Sequence, residues 1–228
     1  FEECLKLFLS GHAVNSFIAL EHHGLLPALL PETAAALKSN RSGALRQMLL
    51  EGLRGTDARV ADDQPVSPAF LFALLLWPAY CRALMALQAQ GVHAADAQRR
   101  AADRVTVHQL TTVALPRRFS LPMQEIWLLQ ARLSQRQPKR VARLLAHPRF
   151  RAAYDFLVLR QFASNEHAEE VAFWTHAQTL PRDDLALPVD AQEAVDDAHD
   201  VDATDIAETA DGAPRKRRRR RRRPVPSE

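Results

Sequence analysis

An all-α fold, an irregular multi-helix bundle, is predicted by three features of the sequence. Apolar residues return at intervals of three and four, the spacing of a helix face on a core. Between residues 115 and 160 they are Ile126, Leu129, Leu133, Val141, Leu144, Leu145, Phe150, Tyr154 and Leu157. Glycine is scarce, seven in 228 residues, and β-branched runs are few beside abundant Ala, Leu, Gln and Arg. Hydrophobic residues make up 47% of the chain, enough to build a core.

Taken in order, Phe1–Leu9 reads as a helix stopped by Ser10-Gly11, and His12–His23 as a second, with Val14, Phe17 and Ile18 inward. Leu25–Leu30, punctuated by Pro27 and Pro31, predicts short turning helices. Glu32–Lys38 and Gly43–Leu53 follow as helical pieces, and the polar run Thr56–Pro65 as a connecting loop. Ser67-Pro68 supplies an N-cap and a first-turn proline to AFLFALLLW, which is apolar all round and therefore expected at the centre of the core. Pro78 is expected to kink or restart that helix. Ala94–Val113 is longer and wetter, with Arg99, Arg100 and Arg104 outward. Three helices each entered through a proline are expected next, Pro122–Arg136, Lys139–Ala146 and Pro148–Phe162. A last one spans Glu166–Thr179, anchored by Val171 and Trp174.

Charge is segregated. The net charge of +3 combines a mildly basic stretch (1–182), an acidic stretch without a single Lys or Arg (183–214), and nine consecutive cations from Arg215 to Arg223. The acidic stretch is too poor in apolar residues to order itself, and the like-charged run repels itself. The expected organisation is a helical body over 1–182, a disordered acidic linker over 183–214, and a disordered arginine-rich tail over 215–228. Cys4 and Cys81 stand in apolar surroundings and make neither a disulfide framework nor a zinc set. No apolar run approaches the roughly 20 residues of a membrane span, so no transmembrane segment is expected. A reducing compartment and a monomer are.

Catalytic patterns are absent: no Gly-rich phosphate loop, GxSxG elbow, HExxH or CxxC. Asp62-Asp63 and Asp183-Asp184 are adjacent carboxylates in polar runs, read as solvated rather than metal-binding. His147, before Pro148, reads as a turn cap or a phosphate contact. Between Leu115 and Arg160, by contrast, ten cations face two carboxylates, Glu125 and Asp155. Exposed helices usually mix signs at i, i+4 spacing, so an unmixed run points to a polyanion. The nucleic-acid-contact candidates are Arg117, Arg118, Arg132, Arg136, Lys139, Arg140, Arg143, Arg149 and Arg151. From the tail come Arg215, Lys216, Arg217, Arg218, Arg219, Arg220, Arg221, Arg222 and Arg223, whose guanidinium forks match phosphate oxygens.

Longer strings carry a resemblance. FEECLKLFLSG (1–11), SPAFLFA (67–73), LPRRF (115–119) and above all IWLLQARLSQRQPKRVARLLAHPRFRAAYDFLVLR (126–160) resemble the C-terminal part of the bacterial poly(A) polymerase I family, polynucleotide adenylyltransferases. That resemblance implies a helical body following a nucleotidyltransferase head. The head adds AMP from ATP to RNA 3′ ends in mRNA processing and decay, in the cytoplasm, and binds ATP and magnesium. The head's Gly-Ser motif and paired aspartates have no counterpart here, so no catalytic residue and no metal ligand is assigned, and the chain alone is expected to be inactive. RNA 3′ ends and poly(A) are the implied partners. An alternative stays open: a protein-interaction module that docks a helicase or RNA-degradation factor, with RNA contacted mainly by the tail.

Overall fold

Eleven α-helices, and among the described residues no strand, make up the computed structural model, which describes residues 1–164 and 166–180. All belong to the unit Phe1–Leu187; the second unit, Pro188–Glu228, lies outside the described residues. So do the acidic linker and the arginine-rich tail expected over 183–214 and 215–228.

Helix α6 (Pro68–Ala89) is the axle of the molecule. Ser67 caps it, its hydroxyl accepting from the Phe70 amide at 3.4 Å, and Pro68 occupies the first turn. From Leu71 to Tyr80 every side chain is buried, packed by α4 (Pro31–Ser39), α5 (Ala44–Ala61), α7 (Ala94–Leu110) and α8 (Arg117–Arg132). Burying a Leu or Phe stabilises by about 1.5–3 kcal/mol. Several such side chains outweigh the roughly 3 kcal/mol that an interior proline costs, and α6 runs unbroken through Pro78 where an interruption was expected. By length and composition α6 is also apolar enough to cross a membrane, which the run-length argument did not anticipate; 56% of that window is buried within the fold.

Two apolar cores share walls. The first gathers α6 with α1 (Glu2–Phe8), α2 (Ala13–His22), α3 (Leu26–Leu29), α5 and α7, and takes Met123, Ile126 and Trp127 from α8. The second takes Leu129 from the other end of α8 and Leu133 just beyond it, with α9 (Pro138–Leu145), α10 (Phe150–Ser164) and α11 (Ala168–Ala177). Each is fastened by an indole. Trp127 Nε1 donates to the Ala73 carbonyl at 2.9 Å, and Trp174 Nε1 to the Leu133 carbonyl at 2.7 Å. Among the described residues no buried side-chain polar atom lacks a partner.

Three expectations are corrected. The polar run from Thr56 is not a loop: α5 continues to Ala61, and the chain leaves it only at Asp62 and Asp63, the latter at φ 52°. The polar side chains there have internal uses. Thr56 is buried with its hydroxyl donating to the Gly52 carbonyl at 3.0 Å. The Asp57 carboxylate accepts from the Ala13 and Val14 amides at 2.6 and 3.1 Å, capping α2 from another helix. Second, α8 begins at Arg117, so Pro116 is the entering proline and Pro122 lies inside the helix. Leu115 is buried beside it, and the Phe119 and Ser120 amides donate to the Pro116 carbonyl. Third, Ile18 points outward, 42% exposed, while Ala13 and Phe17 turn inward.

Candidate nucleic-acid interface

Helix starts reveal the anomaly. A helix N-terminus carries partial positive charge, so carboxylates there stabilise it and cations oppose it, by about 0.3–1 kcal/mol each. Five of the eleven described helices obey. Glu2 and Glu3 open α1, Glu32 α4, Asp96 α7, Glu169 and Glu170 α11, and Asp57 serves α2 from outside. Helices α3, α5 and α6 have no first-turn acid, and Arg46 in the first turn of α5 is paired with Glu21 at 2.8 Å. The three consecutive helices α8, α9 and α10 do the reverse. None has an acid in its first turn. Arg117 and Arg118 open α8, Lys139 and Arg140 open α9, and Arg149 and Arg151 flank the start of α10.

The nine body candidates divide into two groups. Arg117 and Arg118 sit at one end of α8, and Arg118 lies over the Phe119 ring at 4.9 Å. Arg132 closes the same helix about 22 Å away at 1.5 Å per residue. Arg136, Lys139, Arg140, Arg143, Arg149 and Arg151 follow it through the α8–α9 turn, α9 and the start of α10. The spacing of Arg132, Arg136, Arg140 and Arg143 does not run along one helix, because residues 133–137 separate α8 from α9.

Nor is the second group unopposed. Arg136 pairs with Glu169 at 3.7 Å and covers the Phe173 ring at 5.4 Å. Arg149 meets Glu125 at 3.2 Å, and Arg151 meets Asp155 at 3.1 Å while lying over Tyr154. Arg140 donates to Gln135 Oε1 at 2.9 Å. The partner of Arg136 comes from α11, 33 residues along the chain and outside the basic run. These pairs are exposed and worth about 0–1 kcal/mol each, so phosphates can compete for the cations. His147 caps its turn: its Nδ1 accepts from the Arg149 amide at 3.1 Å.

One cation the sequence did not single out behaves differently. Arg160, on α10, is largely buried, donates to Gln130 Oε1 at 3.3 Å and lies 5.2 Å from the Trp77 ring centre. Among the described residues no carboxylate stands within 4 Å of it. Burial pulls its pKa down, against the fields of Cys81, Glu170, Tyr80 and Glu166, which raise it. Its position in an apolar stretch, nine residues beyond Arg151, carried no signal beyond being a cation at a core-facing register.

The ATP and magnesium that the resemblance implies belong to the head, and the described residues offer no cluster of metal ligands, three or more of His, Cys, Asp and Glu. No adenylyl-transfer step is assigned to these residues. The tail candidates Arg215–Arg223 lie outside the described residues.

The class that this fold and face define is an all-helical body whose C-terminal half turns cations outward at its helix starts. Residues 90–224 match the family described as "Polymerase A arginine-rich C-terminus", well over half the chain, and residues 1–37 match "Probable RNA and SrmB- binding site of polymerase A". The chain belongs to the polymerase A arginine-rich C-terminus family. It is 35% identical over 176 residues to Poly(A) polymerase I of Salmonella typhi and of Escherichia coli O157:H7, covering 76% of this chain and 38% of each relative. Poly(A) polymerase I of Haemophilus influenzae is 32% identical over 177 residues, 77% of this chain and 39% of that one. The chain thus spans under two fifths of the length of these relatives.

Proposed function

We propose that this chain is the RNA-gripping C-terminal portion of a cytoplasmic poly(A) polymerase, holding RNA 3′ ends and poly(A) while a separate catalytic head adds AMP from ATP. The reading rests on one observation above others: α8, α9 and α10 start with cations where stability alone favours acids. A sequence that accepts that cost three times in succession is serving a ligand, and the ligand that suits a cationic helix N-terminus is a phosphate. Relatives named Poly(A) polymerase I make RNA the polyanion to test first. The helical body over 1–182 carries this grip, and the tail 215–223 adds a sequence-independent arm.

Retention of labelled oligo(A) on filters by the whole chain tests the reading. The triple variant Arg117→Glu, Lys139→Glu, Arg151→Glu should bind at least about 10-fold more weakly at low salt. Its salt slope should be shallower by about two, at roughly 0.7 per lost phosphate contact. Unchanged affinity and slope would move RNA binding off this face.

A second reading concerns the other end of the molecule. Cys4, Leu7, Leu20, Leu25, Ala28 and Leu29 form an open apolar groove of about 300 Å³, with Leu25 53% exposed. It lies within residues 1–37, whose family description names SrmB as well as RNA. We assign this groove to a protein partner of helicase type. A pull-down resistant to nuclease and high salt, and abolished by Leu25→Glu, is the expected result; partners lost on nuclease treatment alone would remove it.

A further inference from the structure

Between the two cores lies a cavity of about 220 Å³ that neither the cationic helix starts nor the apolar groove explains. Trp77 from α6, Gln98 from α7, Trp127 from α8, Ser134 just beyond it, Arg160 from α10 and Glu170 from α11 all line it. The aromatic wall is rigid: Trp77 stacks on Tyr80 at 5.2 Å, and Tyr80 on Trp127 at 4.9 Å. Its polar groups are partly spoken for. Ser134 donates to the Ala131 carbonyl at 2.8 Å, leaving its oxygen as an acceptor. Glu170 faces His167 at 3.4 Å. Arg160 uses one of its five donors, on Gln130. Gln98 is half-buried, and among the described residues neither its amide oxygen nor its amide nitrogen has a hydrogen-bond partner.

The contents of that list decide the ligand. A bare phosphate would meet Arg160 but also the Glu170 carboxylate, with a second carboxylate, Glu166, in the same field. A planar heterocycle meets each group suitably: aromatic and guanidinium surfaces stack on bases, while neutral donors and acceptors read base edges. An unpaired glutamine amide, one donor beside one acceptor, matches the N7 acceptor and N6 amine of adenine, and a carboxylate accepts from that amine. We propose that this cavity is a single-nucleotide pocket that takes one unstacked adenine base of bound RNA, read by Gln98 and Glu170 and stacked against Arg160. The proposal deepens the RNA-gripping reading and rests on it for the rest of the strand.

Two titrations of the whole chain separate the pocket from the phosphate-binding face. In the first, adenosine, which has no phosphate, is added at high salt while tryptophan emission is followed, since Trp77 and Trp127 line the cavity. Saturable quenching is expected, weakened at least about 5-fold in Gln98→Ala and lost when Ser134→Phe obstructs the mouth; both changes are far enough from full burial to leave the helical circular dichroism unaltered. In the second, an oligo(A) is compared with an abasic strand of equal length and with oligo(U). Base stacking on such platforms is worth about 5- to 150-fold per base, and losses in that range are expected for the abasic strand, with oligo(U) between. Equal binding of all three strands, with adenosine silent, overturns the pocket while leaving RNA binding intact. Adenosine quenching without any strand retention overturns the RNA-gripping reading and leaves the pocket standing.

Discussion

Gly52 and Asp57, five residues apart on α5, illustrate how single atoms hold the first core together. A methyl group at Gly52 would lie 3.1 Å from Leu74 Cγ and closer still to both of its methyls. Leu74 is fully buried on α6 and has nowhere to retreat. Gly52→Ala therefore trades a helix-propensity gain of about 1 kcal/mol for overpacking of about 1–3 kcal/mol, and a lower urea midpoint is expected. Asp57→Ala removes both acceptors from the α2 N-terminus and should cost about 1–2 kcal/mol by the same measurement, with Asp57→Asn recovering part of it. The thiol of Cys81 makes a third residue-scale point. Burial pushes its pKa up to about 12, although Arg160 pulls the other way. The native protein should leave Cys81 unmodified by a thiol reagent at pH 8, with reaction appearing on unfolding in urea; prompt native-state labelling would contradict the packing described.

At the scale of elements, α9 offers the clearest separation of stability from function. Lys139→Glu puts a carboxylate at the positive end of the helix and should raise stability by about 0.3–1 kcal/mol, while RNA retention falls. A change in stability with unaltered retention would make the cation an accident of composition. Helix α11 behaves as the weakest tie, since α10 is its main packing partner and Trp174 its single fully buried large side chain. At its start His167 has its pKa lowered, first by burial and then by Arg160, with Glu170 opposing. A histidine kept neutral in the fold binds more protons when unfolded. Its contribution is complete above the ordinary imidazole value of about 6.5 and is lost as pH falls below it. Hydrogen exchange in α11 should accelerate on acidification toward pH 5 while α6 stays protected, and His167→Gln should flatten that response.

Elements with one dominant cause were legible in the sequence, and those with two competing causes were not. Ser67-Pro68 announces α6 because cap, proline and apolar run agree, and the apolar set from Ile126 to Leu157 lands inside or against the cores for the same reason. Thr56–Ala61 misled because its polar groups are satisfied by Gly52 and by the far end of α2, partners forty-odd residues away for Asp57. Pro122 misled because Leu115 and Pro116 set the start of α8 through burial rather than through local preference. Of the candidate surface, the excess of cations was visible, but its division along α8 and the Glu169 partner of Arg136 exist only in the folded chain. Arg160 and Gln98 could not be singled out at all: what distinguishes them is the cavity, and five separate segments build it.

For the whole molecule, the proposed RNA grip raises the question of how the helical body and the nine-cation run would share one strand. A tail engaging fully would give a salt slope of about −6, at −0.7 for each of nine phosphates on a single strand, and the body's helix starts add to that. On the proposed reading, the eleven carboxylates of the adjoining stretch 183–214 compete for the tail's cations and oppose full engagement. Removing residues 215–223 should therefore reduce the slope by clearly less than six while leaving a salt-dependent remainder. Deleting 183–214 and rejoining the tail to the body should steepen it. A remainder of zero in the first variant would assign all RNA affinity to the tail and make the cationic starts of α8, α9 and α10 an unexplained cost; an unchanged slope in the second would show that the carboxylates do not reach the tail. Measured together, the two slopes test the proposed division of the grip between an arm that reads charge alone and a body that also reads a base.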